Sequence, residues 1–245
     1  QYGDHAMPET ADNVAADLGI TREASDRFAL ASQQRFASAK AEYFYKDELD
    51  PVTVVGSKRG TTTTVADDEH PRPDSSAEKL ATLRPLFDGG VVTAGNASGI
   101  NDGSAGVVVM SDKEAQRRGI TPMAVIRGTA WAGVEPHIMG IGPAPAVRKV
   151  MSKTGLSLNQ MGLIELNEAF AAQSLAVGKE LELDWDKVNV NGGAVALGHP
   201  VGASGARVLV TLLYEMQRRR ERYGLAALCI GGGQGIAMVL ENLTA

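Results

Sequence analysis

Residues 188–205, VNVNGGAVALGHPVGASG, constrain the fold of this chain more than any other stretch. The stretch opens as a short apolar strand, passes through several glycines and carries His199, followed by Pro200, on a tight turn. Glycine permits positive φ angles and close backbone approach, and a helix is predicted to follow over 203–222. The loop therefore places a histidine between a strand end and a helix start, where ligands and catalytic groups collect in α/β proteins.

A glycine-rich loop that contains a histidine has two simpler interpretations. It can be a structural turn in which the histidine is incidental. It can also be a phosphate-binding loop, but the run from Gly198 through Gly202 to Gly205 lacks the Gly-Lys-Ser/Thr ending of that motif, which excludes it. Other parts of the chain have to decide between a turn and a catalytic loop.

The first 90 or so residues are polar and rich in loops, whereas strands and helices alternate after them. The early elements are helices over 11–18 and from Thr21 to about Tyr45, then strands over 50–55 and 61–65 joined by a turn at 58–60. The later strands are predicted over 91–94, 106–110, 124–130, 163–166, 188–190, 224–230 and 235–241, and the later helices between Ser111 and Gly119 and over 144–154, 169–183 and 203–222. This order predicts a layered α/β fold over a mostly parallel sheet, closed by an antiparallel pair.

Composition limits the possible function classes. The formal net charge of -5 argues against a nucleic-acid-binding protein. No apolar run approaches the roughly 20 residues of a membrane span, and no secretory signal is visible. Cys229 is the one cysteine, and the four histidines are scattered, so neither a disulfide nor a zinc site is predicted. A lone thiol fits a reducing compartment, and we expect a cytoplasmic protein.

Three side chains with chemical potential lie at or just past the ends of predicted strands: Asn167, His199 and Cys229. The ends of parallel strands lie side by side, so a thiol, an imidazole and an amide would meet at one rim. That set forms an acid/base site with a polar anchor, and the glycines at 231–233 expose backbone N–H groups suited to an oxyanion. Each residue also has a plain alternative: a core cysteine, a turn histidine and a helix N-cap asparagine.

Four separated motifs resemble those of the thiolase family. They are GNASG at 95–99, NEAF at 167–170, GG followed by GHP over 192–200, and CIGGG at 229–233. The resemblance covers the whole chain in order and implies an acyl-CoA C-acyltransferase. Such an enzyme cleaves a 3-oxoacyl-CoA with free CoA, or runs the reverse condensation. It also implies a layered α-β-α thiolase fold, with coenzyme A and acyl-CoA as substrates and no permanently bound cofactor or metal.

Carried over residue by residue, the resemblance implies four catalytic roles. Cys229 would be the acid/base that moves the proton at the substrate α-carbon. His199 would activate the acyl-accepting cysteine and donate to the thioester oxygen, and Asn167 would hold a water that completes this oxyanion hole. The Gly231 N–H would contribute to a second oxyanion hole.

The resemblance also implies a binding channel for coenzyme A. Ser98 would contact the pantetheine arm, and Met7, Met139 and Phe170 would line the channel. Arg72 would lie near the adenine end of CoA.

One departure from the family pattern is serious. Thiolases take the acyl group on a cysteine in their N-terminal half, and this chain has no second cysteine. The resemblance implies most of a CoA-binding loop domain over 1–97, the last strand and helix of the N-terminal half over 98–121, and a complete C-terminal half-domain over 122–245. We therefore expect an N-terminal thiolase segment as partner, and a homodimer or tetramer.

Alternatives remain open for both the substrate and the reaction class. MPETA at 7–11 and DEHPRP at 68–73 look most like 3-oxoadipyl-CoA thiolases, whereas CIGGGQG at 229–235 is closer to acetoacetyl-CoA and medium-chain fatty-acid thiolases. His70 or His137 could serve an extra substrate carboxylate, although ordinary surface histidines are favoured. A cysteine hydrolase and a CoA-binding protein without turnover are the other classes.

Overall fold

The computed structural model describes residues 5–42, 44–56, 58 and 60–244, so Arg59 of the predicted turn lies outside the described residues. The helices are α1 (Met7–Leu18), α2 (Arg22–Ala41), α3 (Ala77–Ala81), α4 (Asp112–Arg118), α5 (Pro143–Thr154), α6 (Ala171–Leu181), α7 (Ala194–Leu197) and α8 (Ser204–Arg219), with 3-10 helices at Phe44–Asp47, Pro136–Ile141 and Leu158–Gln160. The strands are β1 (Val52–Val55), β2 (Thr62–Val65), β3 (Val125–Gly133), β4 (Leu163–Leu166), β5 (Tyr223–Ile230) and β6 (Gln234–Glu241). In the described part of the chain, no helix is both long enough and apolar enough to cross a membrane.

The main sheet has the strand order β3-β6-β5-β4, and β1 and β2 form a separate antiparallel hairpin. β5 pairs antiparallel with β6, as predicted for the closing pair, and parallel with β4, while β6 pairs antiparallel with β3. Three of the four described strands of the main sheet, β3, β4 and β5, run in the same direction, as predicted for a mostly parallel sheet. However, β6 lies between β3 and β5 and runs against them, so β4 and β5 are the one adjacent parallel pair of strands among the described residues. The connection over 231–233 is too short for a parallel crossover, so it forces a hairpin.

Helices cover both faces of the main sheet. α5 and α6 pack on one face, and α8 packs on the other. β4 shows how the strand pattern serves both layers, because Ile164 and Leu166 enter the core under α5 and α6 while Leu163 enters the core with Val208 and Leu212 of α8. The predicted layered α-β-α arrangement is confirmed.

Helix boundaries mostly follow local capping signals. Oγ1 of Thr21 accepts an N–H at 3.2 Å at the start of α2, and Gly119 ends α4 in the left-handed region at φ 65°. α1 begins earlier than predicted, at Met7, because a proline such as Pro8 fits the first turn of a helix. α2 ends earlier than predicted, and Tyr45 lies in a 3-10 helix beyond it.

Two segments predicted as strands are not strands. The buried strand expected over 106–110 is wrong, because Val108 and Val109 are 87% and 70% exposed. Among the described residues no strand lies beside this segment, and a strand requires a partner for its backbone groups. In the segment 91–94, Thr93 makes an isolated bridge with Pro85 and no ladder. The short helix α3 was not predicted.

The strand expected over 188–190 is reduced to one parallel bridge, between Val188 and Ile164. The next residue, Asn189, has a φ of 46°, which turns the chain away from the sheet. Its side chain replaces the missing backbone partner: Oδ1 accepts the Leu166 N–H at 2.8 Å and Nδ2 donates to the Leu166 carbonyl at 2.7 Å. Asn189 therefore ends the pairing and directs the chain into the glycine-rich loop.

Candidate active site

The carboxyl ends of the parallel strands β4 and β5 form the rim of the site. Asn167 follows β4, and its backbone N–H donates to the Ala227 carbonyl of β5 at 2.9 Å. Cys229 lies near the end of β5, opposite Gly235 of β6. The parallel register thus brings an amide and a thiol to the same edge of the sheet, as the sequence predicts.

His199 reaches this rim from the glycine-rich loop. Its backbone N–H donates to the Gly99 carbonyl at 3.0 Å, and its Nε2 lies 3.4 Å from Nδ2 of Asn167. Its Nδ1 lies 2.6 Å from Oγ of Ser204, whose hydroxyl donates to the Pro200 carbonyl at 2.9 Å. Since that hydroxyl hydrogen is used, Ser204 accepts from the imidazole, which places the proton on Nδ1 and leaves Nε2 as an acceptor that faces the Nδ2 donor of Asn167.

The environment of His199 favours the neutral imidazole. Burial lowers its pKa, and the positive charge of Arg207 lowers the pKa further. A neutral ring with its lone pair at Nε2 can take a proton from a thiol and can afterwards donate it as imidazolium.

Asn167 is fully buried and has a free acceptor. Its Oδ1 has no hydrogen-bond partner among the described residues, and its Nδ2 points to His199. The N-cap alternative is excluded, because α6 begins at Ala171 with Phe170 as its N-cap residue. A buried amide without a capping role is suited to bind a water or a polar substrate atom.

Cys229 is half-buried and carries a strongly perturbed thiol. Desolvation raises its pKa to about 12, so the thiol is protonated at neutral pH. Its side chain packs against the apolar cluster that contains Met139 and Phe170, two predicted channel residues. Gly231, two residues on, is exposed, and a Cβ atom placed on it would lie 3.7 Å from Sδ of Met7. The structure thus brings these three predicted lining residues to the thiol end of the site.

Ser98 fixes the GNASG loop against the residues that follow Asn167. Both its N–H and its Oγ donate to the Ala169 carbonyl, at 3.0 and 2.9 Å. A bridge between Ala97 and Phe170 continues this contact. Ser98 is therefore half-buried between the loop and the rim, with its hydroxyl turned to the protein.

Arg72, His70 and His137, which the sequence offers as partners for CoA or for a substrate carboxylate, lie in three different environments. Nη1 of Arg72 donates to three carbonyls of its own loop, including that of His70 at 2.7 Å, and the residue is exposed. His70 is half-buried against the site, since a Cβ on Gly99 would overlap its imidazole. His137 is exposed, and its carbonyl accepts from Asn13 at 2.8 Å, which fits an ordinary surface histidine.

A buried carboxyl, which sequence reasoning missed, organises the floor of the site. Oε2 of Glu168 accepts from the Ser32 hydroxyl at 2.7 Å and from the Val195 N–H at 3.1 Å, and its Oε1 accepts from Nδ2 of Asn189 at 2.8 Å. The carboxyl also fills the space beside Gly193, where a Cβ would overlap it. One side chain thus joins α2, the NEAF motif and the glycine-rich loop.

Ser204 and Arg207 were also missed as site residues. Both lie in the run that follows the histidine, where the sequence suggests only the start of a helix. The available signal was spacing: a serine in the first turn after a histidine-bearing loop can cap or contact that histidine.

Family models of known proteins match almost the whole chain. Residues 120–242 match the family described as the C-terminal domain of thiolase, and residues 1–113 match its N-terminal domain. The chain belongs to the thiolase family. Among solved structures, this thiolase is similar to the Bacillus anthracis acetyl-CoA acetyltransferase, with a TM-score of 0.94 and 51% identity over 97% of this chain and 60% of that one. It is also similar to human mitochondrial 3-ketoacyl-CoA thiolase in complex with CoA, with a TM-score of 0.89 and 44% identity over 96% of this chain and 58% of that one.

Curated relatives of this thiolase carry two names. Over 99% of this chain it is 56% identical to an acetyl-CoA acetyltransferase of Escherichia coli (strain K12). Over 99% of this chain it is also 52% identical to a 3-oxoadipyl-CoA/3-oxo-5,6-dehydrosuberyl-CoA thiolase of the same strain. In both cases the chain spans 61% of the relative's length.

Proposed function

We propose that this chain supplies the acid/base half of an acyl-CoA C-acyltransferase. The reaction is cleavage of a 3-oxoacyl-CoA by CoA to acetyl-CoA and a shortened acyl-CoA, or the reverse condensation. The observation that carries the proposal is the unprotonated Nε2 of His199, held 3.4 Å from Nδ2 of Asn167 at the rim that also bears the Cys229 thiol. Coenzyme A and acyl-CoA are substrates in this proposal, and no resident cofactor takes part.

The protonation states assign an order to the steps. His199 takes the proton of the acyl-accepting thiol, which then attacks the 3-oxo carbon; the carbon–carbon bond breaks and leaves an acetyl-CoA enolate. Cys229, protonated because its pKa is about 12, gives its proton to the enolate carbon. The resulting thiolate takes the proton of the incoming CoA thiol, and the CoA sulfur attacks the acyl group. The bond between the acyl group and the acyl-accepting sulfur breaks, and that sulfur takes back the proton from His199.

Oxyanion stabilisation falls to the groups around these residues. We assign His199 and an Asn167-bound water to the thioester oxygen, and the exposed Gly231 N–H to the oxyanion of the acyl-transfer step. For the CoA arm, we assign Ser98 with Met7, Met139 and Phe170. Arg72 stays a proposal for the adenine end, because its guanidinium also serves its own loop.

The acyl-accepting group has to come from a second segment. Cys229 is the one cysteine of the chain, and a single sulfur cannot hold the acyl group and shuttle the proton in the same step. We propose an N-terminal thiolase segment as the partner that provides the second thiol, alongside the loop domain over 1–97, the segment 98–121 and the C-terminal half-domain over 122–245. We further propose a cytoplasmic homodimer or tetramer.

For the substrate, we propose 3-oxoadipyl-CoA or a similar 3-oxoacyl-CoA. The position of His70 beside Gly99 supports this choice, because a half-buried imidazole there could bind an extra carboxylate. Acetoacetyl-CoA or a fatty 3-oxoacyl-CoA is the alternative, and the similar identities to relatives of both names do not separate the two.

Thiolysis measured with the complementing segment present tests the proposal. We expect His199→Ala and Cys229→Ser each to lower thiolysis at least ~100-fold, the usual contribution of a general acid/base. Asn167→Ala should lower thiolysis roughly 10- to 1000-fold, because Asn167 acts through a water. His137→Ala, on the exposed surface, is the matched control. Activity within a few-fold of wild type in either of the first two variants would remove that residue from the mechanism.

Three further measurements separate the alternatives. If His70→Asn lowers kcat/KM for 3-oxoadipyl-CoA but not for acetoacetyl-CoA, the carboxylate-bearing substrate is supported, and equal effects would favour the alternative substrates. Full thiolysis by the isolated, monodisperse 245-residue chain would contradict the need for a second thiol. Calorimetric binding of CoA without turnover in the complemented protein would indicate a CoA-binding protein. A cysteine hydrolase is disfavoured, because a thiol with a pKa of about 12 is not an activated nucleophile.

A further inference from the structure

Arg207 lies among carboxyl groups close to the candidate active site. Nη1 of Arg207, on α8, lies 3.7 Å from Oε2 of Glu165 on β4, and the two side chains are 19% and 4% exposed. Glu48, which follows the 3-10 helix Phe44–Asp47, is half-buried and its pKa is raised by burial to about 7. The field of Arg207 opposes the rise at both carboxyl groups.

Arg207 and Glu165 are each close in the chain to a residue of the candidate active site. Glu165 precedes Asn167 by two residues, so both lie on the α8 side of the extended chain. Arg207 lies three residues beyond Ser204, close to one helical turn, and Oγ of Ser204 contacts Nδ1 of His199. The contact between Arg207 and Glu165 therefore connects the element that bears His199 with the element that leads to Asn167.

The charge of Arg207 is poorly neutralised. Its Nε and Nη1 are buried and have no hydrogen-bond partner among the described residues, and the same is true of Oε2 of Glu165. Burial raises the pKa of Glu165 to about 8, so this carboxyl is mostly protonated at neutral pH and cancels little of the positive charge.

We propose that Arg207 is a positioning residue for His199: it lies one helical turn beyond Ser204, which contacts Nδ1 of His199, and its charge keeps the imidazole neutral. This inference rests on the proposed function, in which the neutral ring takes the proton of the acyl-accepting thiol. A cation near a histidine disfavours the second positive charge of the imidazolium, most strongly where water is excluded.

The other ionisable groups on the surrounding elements do not account for the effect. Those groups are Asp68, His70, Asp102, Glu165, Glu168 and Cys229. Burial and Arg207 are the causes that lower the pKa of His199. His70 offers an internal comparison, because its pKa is lowered by burial and by Arg72, not by Arg207.

Imidazole NMR titration of the protein as purified tests this proposal without any need for turnover. The chain has four histidines, and single His→Gln variants assign them. The Arg207→Gln variant, which lacks the cation, should show a titration midpoint for His199 that is higher by at least about half a pH unit. The titration midpoint of His70 should not change. Arg207→Lys keeps the charge and should restore most of the wild-type midpoint. Arg148→Gln removes an exposed arginine paired with Glu180 and serves as the matched control.

Loss of folding in Arg207→Gln would not end the test. The double variant Arg207→Gln with Glu165→Gln removes the crowded carboxyl together with the cation, and the same rise is expected in it. An unchanged His199 midpoint in a folded Arg207→Gln or double variant, or a Lys variant that behaves like Gln, would overturn the proposal.

Kinetics then separate this inference from the proposed function. In the complemented enzyme, the acidic limb of the kcat/KM profile for thiolysis should move upward in pH by the same amount as the His199 midpoint. A shifted midpoint in a protein without thiolysis would refute the function and leave the role of Arg207 standing. An unshifted His199 midpoint in an active thiolase would refute the role of Arg207 and leave the proposed function standing.

Discussion

Replacing Glu168 with glutamine should lower the free energy of unfolding by about 2–4 kcal/mol. The reason is that every partner of this buried carboxyl is fixed as a donor. Ser32 accepts the Gly193 N–H at 3.0 Å, so its hydroxyl hydrogen is free to donate to Glu168. Val195 offers a backbone N–H, and Asn189 offers Nδ2. Burial raises the pKa of Glu168, and the hydrogen bonds from Ser32, Asn189 and Val195 oppose that rise, because a carboxylate satisfies all of these donors at once.

The magnitude follows from the best orientation that a glutamine could adopt. Its oxygen would face Ser32 and Val195, and its NH2 group would then face Nδ2 of Asn189. Asn189 cannot flip to offer its oxygen, since both ends of its amide are bonded to the Leu166 backbone. Nδ2 of Asn189 would lose its acceptor and the new NH2 group would find none, at about 1–3 kcal/mol for each group. Loss of the carboxylate's own desolvation cost offsets part of this.

Thermal unfolding of Glu168→Gln at pH 8 measures the effect. For a chain of this size, 2–4 kcal/mol corresponds to a fall in Tm of roughly 4–16 °C. Glu180→Gln is the matched control, because Glu180 pairs with Arg148 at the surface and should shift Tm by less than about 2 °C. A Glu168→Gln variant that unfolds with the control would show that the carboxyl is protonated and that glutamine replaces it without loss.

Three further results are expected. Ser98→Phe should weaken CoA binding at least ~10-fold with an unchanged circular dichroism spectrum, because the loop at 95–103 leaves no room for a ring beside a ligand arm; unchanged affinity in calorimetry would make the loop a structural turn only. Alkylation of Cys229, followed by peptide mass, should be slow at pH 8 and rise about tenfold per pH unit to pH 10, since its pKa is about 12; a plateau below pH 9 would contradict this. Gly235→Ala should lower the free energy of unfolding, measured in urea, by more than about 3 kcal/mol, because its Cβ would overlap the Gly142 carbonyl carbon. Gly202→Ala is the control and should leave the stability nearly unchanged, because no atom lies within 4 Å of the added Cβ. Equal stabilities of the two variants would refute the packing argument.

Features that depend on neighbours in the chain could be predicted from the sequence. The cap at Thr21 and the helix stops at Gly19 and Gly119 rest on interactions within a few residues. The proximity of Asn167 and His199 could also be predicted from the sequence, because each residue comes after a predicted strand. The four thiolase-like motifs together determined the family.

Features that depend on distant partners were decided by the tertiary structure alone. The exposed segment 106–110 has the composition of a strand, yet a strand forms only where another strand lies beside it. The direction of pairing in the sheet and the pKa of Cys229 depend on which groups pack around them. The carboxyl of Glu168 bonds Ser32, 136 residues away in the chain, and Arg207 lies beside Glu165 across the α8–β4 packing layer. No local pattern encodes such contacts, because side chains far apart in sequence come together only when the layers pack, and burial then sets their charge.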